Sequence, residues 1–158
     1  PAFAHPTKPI GSAMTAETAR LREAQEGWSV TETSPGTFRH VVPSPRPRLI
    51  VEAEQIRSLM LAGAVVIAAG GGGIPVVRED DAWHSVDAVI DKDRASALLA
   101  ASAGVETLVL VTGVDEVYVG FGTPDQRALR DVTPEELRTH LEAGEFPAGS
   151  MGPKVESA

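Results

Sequence analysis

Residues 65–77 read VVIAAGGGGIPVV. An apolar, largely β-branched run enters four consecutive glycines, Gly70, Gly71, Gly72 and Gly73, and leaves through Ile74 and Pro75. The run 64–69 has no polar alternation, which is the pattern of a strand buried on both faces of a sheet. Glycine lacks a Cβ, so it lets backbone come close to another object or adopt positive φ, at an entropic cost. A structural turn needs one or two such residues. Four in a row at a strand end point to a surface that a ligand approaches closely, and strand ends are where open α/β sheets bind ligands. The loop is not a Walker A motif, which needs Lys-Ser/Thr after its last glycine. Nor is it the dinucleotide fingerprint, because Pro75 occupies the third glycine position and no long helix follows. What remains is a backbone nest able to present N–H groups to an anion.

Outward from this loop, helical and apolar extended segments alternate. Residues 51–63 have helical periodicity and end in Gly63. A short extended piece, DAVID (87–91), leads to a helix over 93–104 that opens on an acidic residue and closes at Gly104. TLVLVT (107–112) reads as a second buried strand. Residues 133–144 carry an N-cap Thr133, Pro134 at N1, Glu136 at N3 and a closing Gly144, a full capping-box signature. This alternation predicts a mainly parallel sheet covered on both faces, an α/β architecture. The N-terminal part differs. Residues 1–14 are Pro-rich and read as irregular; 15–27 read as a short helix with Thr15 as N-cap. WSVTE and TFRHVV around TSPG read as a hairpin, and PSPRPR (43–48) as a linker. The expected division is therefore 1–48, a small α+β subdomain with its flanks, and 49–158, an α/β domain.

The 158 residues are 42% hydrophobic, enough for a core, and no run reaches the length of a membrane span. No signal peptide is visible, and with no cysteine there are no disulfides or thiolate metal sites. A net charge of −8 argues against nucleic acid as a partner, though not against a small anion met by local cations. Those cations are conspicuous. Only three of the 14 basic residues are lysine: Lys8, Lys92 and Lys154. Each sits in a Gly- or Pro-structured segment, PTKPIG, IDKDRA or GSMGPKVE, and not on a solvated helix face. A lysine at a helix N-terminus opposes the macrodipole, and a bound anion offsets that conflict. Asp93 stands ready to orient the Lys92 ammonium. Tyr118 and Phe121 follow the second apolar strand, where they can wall a nucleobase or close the core edge. His5, His40, His84 and His140 show no metal-ligand spacing, and no serine has a nucleophile-elbow context.

Taken in order, PTKPIG, VVPSP, VVIAAGGGGIPV, AVIDKDRA, GFGTPDQRAL and GSMGPKVE resemble the carbamate kinases of the amino acid kinase superfamily, and the likeness spans essentially the whole chain. The resemblance implies a three-layer αβα sandwich of the amino acid kinase type with a protruding subdomain. It implies reversible phosphoryl transfer between ATP and carbamate, giving ADP and carbamoyl phosphate, with Mg²⁺. It further implies service in fermentative arginine catabolism and a cytoplasmic homodimer. By the same resemblance Lys92, Asp93, Lys154 and Lys8 are catalytic, and Gly70, Gly71, Gly72 and Gly73 face carbamate and phosphate. Thr112, Tyr118, Met151 and Gly152 then belong to the nucleotide site. Carbamate has only about four heavy atoms, too few to be surrounded by several side chains, so a backbone nest suits it. Phosphoryl transfer asks for positioning and charge stabilisation rather than a covalent nucleophile. Two departures stand out. Thr112 is followed by Gly113 where the superfamily usually has Asp, and the family's N-terminal half, with its first glycine-rich loop, and its C-terminal end are expected to be missing. A non-catalytic chain that at most binds nucleotide is therefore the alternative. Acetylglutamate or uridylate kinase types share the fold, but IDKD and the Pro-bounded insert argue against them.

Overall fold

The computed structural model describes residues 3–147 and 149–158; the N-terminal two residues of the expected subdomain lie outside them. In chain order the elements are β1 (Lys8–Met14), α1 (Ala16–Glu26), β2 (Ser29–Ser34), β3 (Thr37–Val42), α2 (Ala53–Leu61), β4 (Val76–Glu79), β5 (Ala82–Ser85), α3 (Lys92–Ala103), β6 (Val117–Val119), β7 (Arg127–Leu129), α4 (Pro134–Glu142) and α5 (Met151–Ser157). They group into two units. One comprises Pro1–Arg46 with Ile74–Asp91, the other Pro47–Gly73 with Lys92–Ala158. The expected boundary after residue 48 lies close to the first break, but residues 74–91 group with the N-terminal unit. Within that unit the Val89 N–H donates to the Pro43 carbonyl at 2.9 Å, tying the 87–91 stretch to the end of β3.

In the first unit an antiparallel sheet runs β1-β3-β2. The β2–β3 hairpin turns at Ser-Pro-Gly as its sequence predicts, with Ser34 paired to Thr37 and Gly36 at φ 73°. β1 corrects the reading of residues 1–14 as irregular. It pairs Lys8 with Val42 and Ile10 with His40, then slips register before Met14. Gly11, at φ 65°, sits inside that slip. Helix α1 starts on the Thr15 side chain, which accepts from the Thr18 N–H, and stops at left-handed Gly27. The Trp28 and His40 rings stack at 4.2 Å, and the Arg22 guanidinium lies over Trp28. A second hairpin, β4–β5, turns through Asp80 and Asp81, both at positive φ.

In the second unit α3 packs on α2 and α5, and α4 packs on α5. Val119, Leu129, Phe146 and Val155 form the buried core, with Leu137, Leu141 and Met151 against it. The β6–β7 hairpin supplies the first two of these residues, α5 the last. The capping box at α4 forms in both directions: Glu136 N–H donates to Thr133 Oγ1 and Thr133 N–H to Glu136 Oε2 at 2.7 Å.

The parallel pairing expected of residues 64–69 and 107–112 does not form. Every strand pair among the described residues is antiparallel, and neither apolar run belongs to a sheet. Val65 and Ile67 are 96% and 97% exposed. A strand exists only through its ladder, so a sequence with the composition of a central strand stays unassigned where no neighbour offers hydrogen bonds.

Candidate functional site

The site is built in the second unit, around the first turn of α3. Asp93 is 5% exposed. Its Oδ1 accepts from Lys154 Nζ at 2.8 Å, and its Oδ2 from Lys92 Nζ at 3.1 Å. One buried carboxylate thus gathers two ammonium groups from different elements, α3 and α5. Burial of a lone carboxylate is costly, and paired charges with hydrogen bonds offset that cost. The Lys92 side chain is well exposed, while that of Lys154 is mostly covered. The pair therefore offers one exposed and one largely covered cation.

Lys154 also lines a cavity of about 310 Å³. Its walls include Thr112, Gly113, Tyr118, Phe121, Glu145, Phe146, Pro147, Ser150 and Met151. Mostly apolar, with a lysine at one side, it has the size and character of a small-molecule site. Tyr118 and Phe121 stand 6.0 Å apart between ring centroids, tilted by 44°, so both aromatics singled out in the sequence contribute walls. The loop carrying Phe121 is fixed by Glu145, whose Oε2 accepts from the Gly120 N–H at 2.9 Å. Gly120 has φ +60°, and a Cβ there would meet Thr123 Oγ1 at 3.1 Å and the Asp125 carbonyl at 3.2 Å. Glu145 was not visible as a site residue in the sequence. An acid just after a helix-ending glycine looks like a solvated loop charge.

The remaining expected residues fall differently. Gly152 does not line the cavity. It is buried, its N–H donates to the Pro147 carbonyl at 2.9 Å, and an added Cβ would lie 3.1 Å from that oxygen. Close backbone packing at the start of α5 explains this glycine. In the glycine loop the N–H groups of Gly70, Gly72 and Gly73 donate to the carbonyls of Ala68 and Ala69, so three of the four expected anion donors are used in the turn itself. Around Gly70, Gly71 and Gly73 an added Cβ would meet nothing within 4 Å; the positive φ of Gly70 and Gly73, 50° and 85°, accounts for those two, and of the four glycines Gly71 alone has neither a close neighbour nor a positive φ. Lys8 belongs to the first unit, where its Nζ lies 2.5 Å from Asp91 Oδ2, and Asp91 is buried. No group of three or more His, Asp or Glu side chains among the described residues is arranged to hold a metal. No helix among them is long and apolar enough to cross a membrane.

The amino acid kinase family matches residues 7–158, and the chain belongs to that family. Carbamate kinase 3 of Staphylococcus aureus strain USA300 is 48% identical over 157 residues, 99% of this chain and 51% of that protein. Carbamate kinase of Pyrococcus furiosus is 47% identical, covering 100% of this chain and 50% of that protein. Among solved structures, one from Aeropyrum pernix K1 superposes with a TM-score of 0.89 at 43% identity, over 100% of this chain and 51% of that one. Carbamate kinase from Giardia lamblia bound to AMP-PNP superposes with a TM-score of 0.84 at 42% identity, over 99% and 50%. The fold is thus that of an amino acid kinase in part, and the chain spans about half the length of the curated relatives it matches.

Proposed function

We propose that this chain carries the nucleotide and phosphoryl-transfer half of a carbamate kinase, moving the terminal phosphoryl group between ATP and carbamate. The observation that carries this reading is Lys154, which both lines the cavity and pairs with the Asp93 that holds Lys92. The nucleotide base and sugar occupy the cavity between Tyr118, Phe121 and Met151, with Thr112 at its wall. The phosphates run toward Lys154 and Lys92. In the forward direction a carbamate oxygen bonds to the terminal phosphorus as the bond to the bridging oxygen breaks, and ADP leaves. Negative charge shifts onto that bridging oxygen and stays spread over the phosphoryl oxygens, where fixed ammonium groups stabilise it without reorganisation. Asp93 sets where those cations stand. Lys8, its ammonium held by Asp91, is proposed as a further lysine of the reaction. The open space at Gly71 and its neighbours suits approach of the small substrate. Among the described residues no cluster of three or more His, Asp or Glu stands ready for a metal, and Asp93 is paired with lysines, so Mg²⁺ would arrive with the nucleotide's phosphates. The physiological setting proposed is ATP formation from carbamoyl phosphate in cytoplasmic arginine breakdown, with a homodimer as the assembled enzyme.

A second reading is nucleotide binding without turnover. It is favoured by the exposed apolar runs and by the three glycine N–H groups already used within their own loop. Coupled ATP formation from carbamoyl phosphate and MgADP, on this chain and on Lys92→Ala, separates the two. The kinase reading expects turnover that falls roughly a hundred- to a thousandfold in the variant. Nucleotide bound in the calorimeter with no turnover by either protein would favour the second.

A further inference from the structure

The geometry points to a positioning device behind the lysines: Arg94 and Glu156 form a brace that sets where α5 presents Lys154. This inference rests on the proposed role of Lys154 at the phosphates. Arg94 follows Asp93 in α3, and Glu156 lies two residues beyond Lys154 in α5. Arg94 Nε and Nη2 both donate to Glu156 Oε2, at 2.9 and 2.6 Å. Both side chains are largely covered, 26% and 18% exposed. The second tie, Lys154 to Asp93, runs with opposite polarity: acid on α3 and base on α5. Val155, 7% exposed, lies between Lys154 and Glu156 in α5, and Ala95, fully buried, follows Arg94 in α3.

Two ion pairs of reversed order do what one cannot. A single contact lets a short helix swivel about it, whereas two contacts at separate residues of α5 fix its rotation and its height along α3. This matters for α5, which has only seven residues and no side-chain bond at its N-cap. Such a helix has little stability of its own. The Lys154–Asp93 tie must also yield in part when phosphate oxygens compete for the ammonium. Neither Arg94 nor Glu156 lines the cavity, so their pairing keeps α5 in place while Lys154 changes partners. Guanidinium, with its fixed fork, suits that task better than another lysine.

Hydrogen exchange of the α5 amides in the ligand-free chain tests the brace without requiring turnover. In Arg94→Ala and in Glu156→Ala, exchange at residues 154–157 is expected to rise on the order of tenfold, with α3 beyond its first turn unchanged. The Arg94→Glu/Glu156→Arg double variant is expected to recover most of that protection, and Arg94→Lys to fall between. AMP-PNP affinity supplies the functional arm. Arg94→Ala should weaken it in the parent chain and add little in a Lys154→Ala background, because the brace acts through Lys154. Arg22→Ala, which removes an exposed ion pair in the first unit, should change neither. Unchanged α5 exchange in both single variants overturns the brace, as does full additivity with Lys154→Ala. Absence of any AMP-PNP binding by the parent chain overturns the functional reading instead, and leaves the exchange result to decide the brace.

Discussion

Asp93 and two glycines show how single residues divide between chemistry and packing. On the proposed reading the Asp93 carboxylate holds in place the two lysines that meet phosphate, so its removal should uncouple binding from catalysis. Asp93→Asn is expected to retain nucleotide in calorimetry while turnover falls about a hundredfold, in a chain still folded by circular dichroism. Gly71 and Gly152 make a matched contrast. An alanine Cβ at Gly71 enters open space, while at Gly152 it presses on the Pro147 backbone carbonyl, which cannot swing aside. Gly152→Ala is expected to cost ~1–3 kcal/mol in urea unfolding. Gly71→Ala should leave the unfolding curve in place yet lose activity, because on the proposed reading the open space beside it receives the small substrate. The triad of Lys92, Asp93 and Lys154 was legible because each sits in a short motif of unusual composition. The partnership of Arg94 with Glu156 was not, because two common residues 62 positions apart leave no local pattern.

Among the elements, those whose instructions are local form where the sequence places them. The α4 capping box is one, and it makes a testable link to pH. Two hydrogen bonds from Thr133, from its backbone N–H first and its hydroxyl second, hold the Glu136 carboxyl below the usual glutamate range. A depressed folded-state pKa stabilises the native chain above the unfolded value, about 4.3, and that contribution is lost as pH falls through the folded value. Thr133→Ala, which removes the hydroxyl and keeps the backbone donor, is therefore expected to lower stability at neutral pH, with the gap to the parent narrowing as acid is added. Urea titrations at pH 7 and below pH 4 measure it; a gap that widens in acid contradicts the assignment. The elements that escaped the sequence reading depend on distant partners. β1 exists because β3 and its hydrogen bonds lie beside it, and residues 6–14 alone look like a loop. The β4–β5 turn uses two aspartates at positive φ where the familiar signal is Asn-Gly or Asp-Gly. The reverse failure, at 64–69 and 107–112, has the same root: strand-forming composition without a ladder to join.

At the scale of the molecule, that unmet composition sets solution behaviour. In the second unit Val65, Ile67, Val109 and Val111 are between 76% and 97% exposed, alternate residues of two apolar runs. Such runs expose apolar side chains on backbone that joins no sheet, the combination that templates pairing between chains. The −8 net charge opposes association only at long range, and salt screens it over about 8 Å at physiological ionic strength. The isolated 158-residue chain is therefore expected to associate in a concentration-dependent manner, more strongly as salt is raised, and to bind a hydrophobic dye in the native state. Placing lysine at Val65 and Val109 should suppress both effects, because a charge on an edge blocks further pairing. Neither residue lines the Tyr118–Met151 cavity, so nucleotide affinity should stay within about twofold of the parent, as expected for surface changes that touch no binding group. Sedimentation velocity across a concentration series, with AMP-PNP calorimetry on the same samples, reads both consequences. A monomeric parent chain at high salt would mean that the apolar runs satisfy one another in solution. Loss of nucleotide binding in the lysine variant, with monomer restored, would mean that the two runs support the cavity from behind, so that covering them and forming the site are one event.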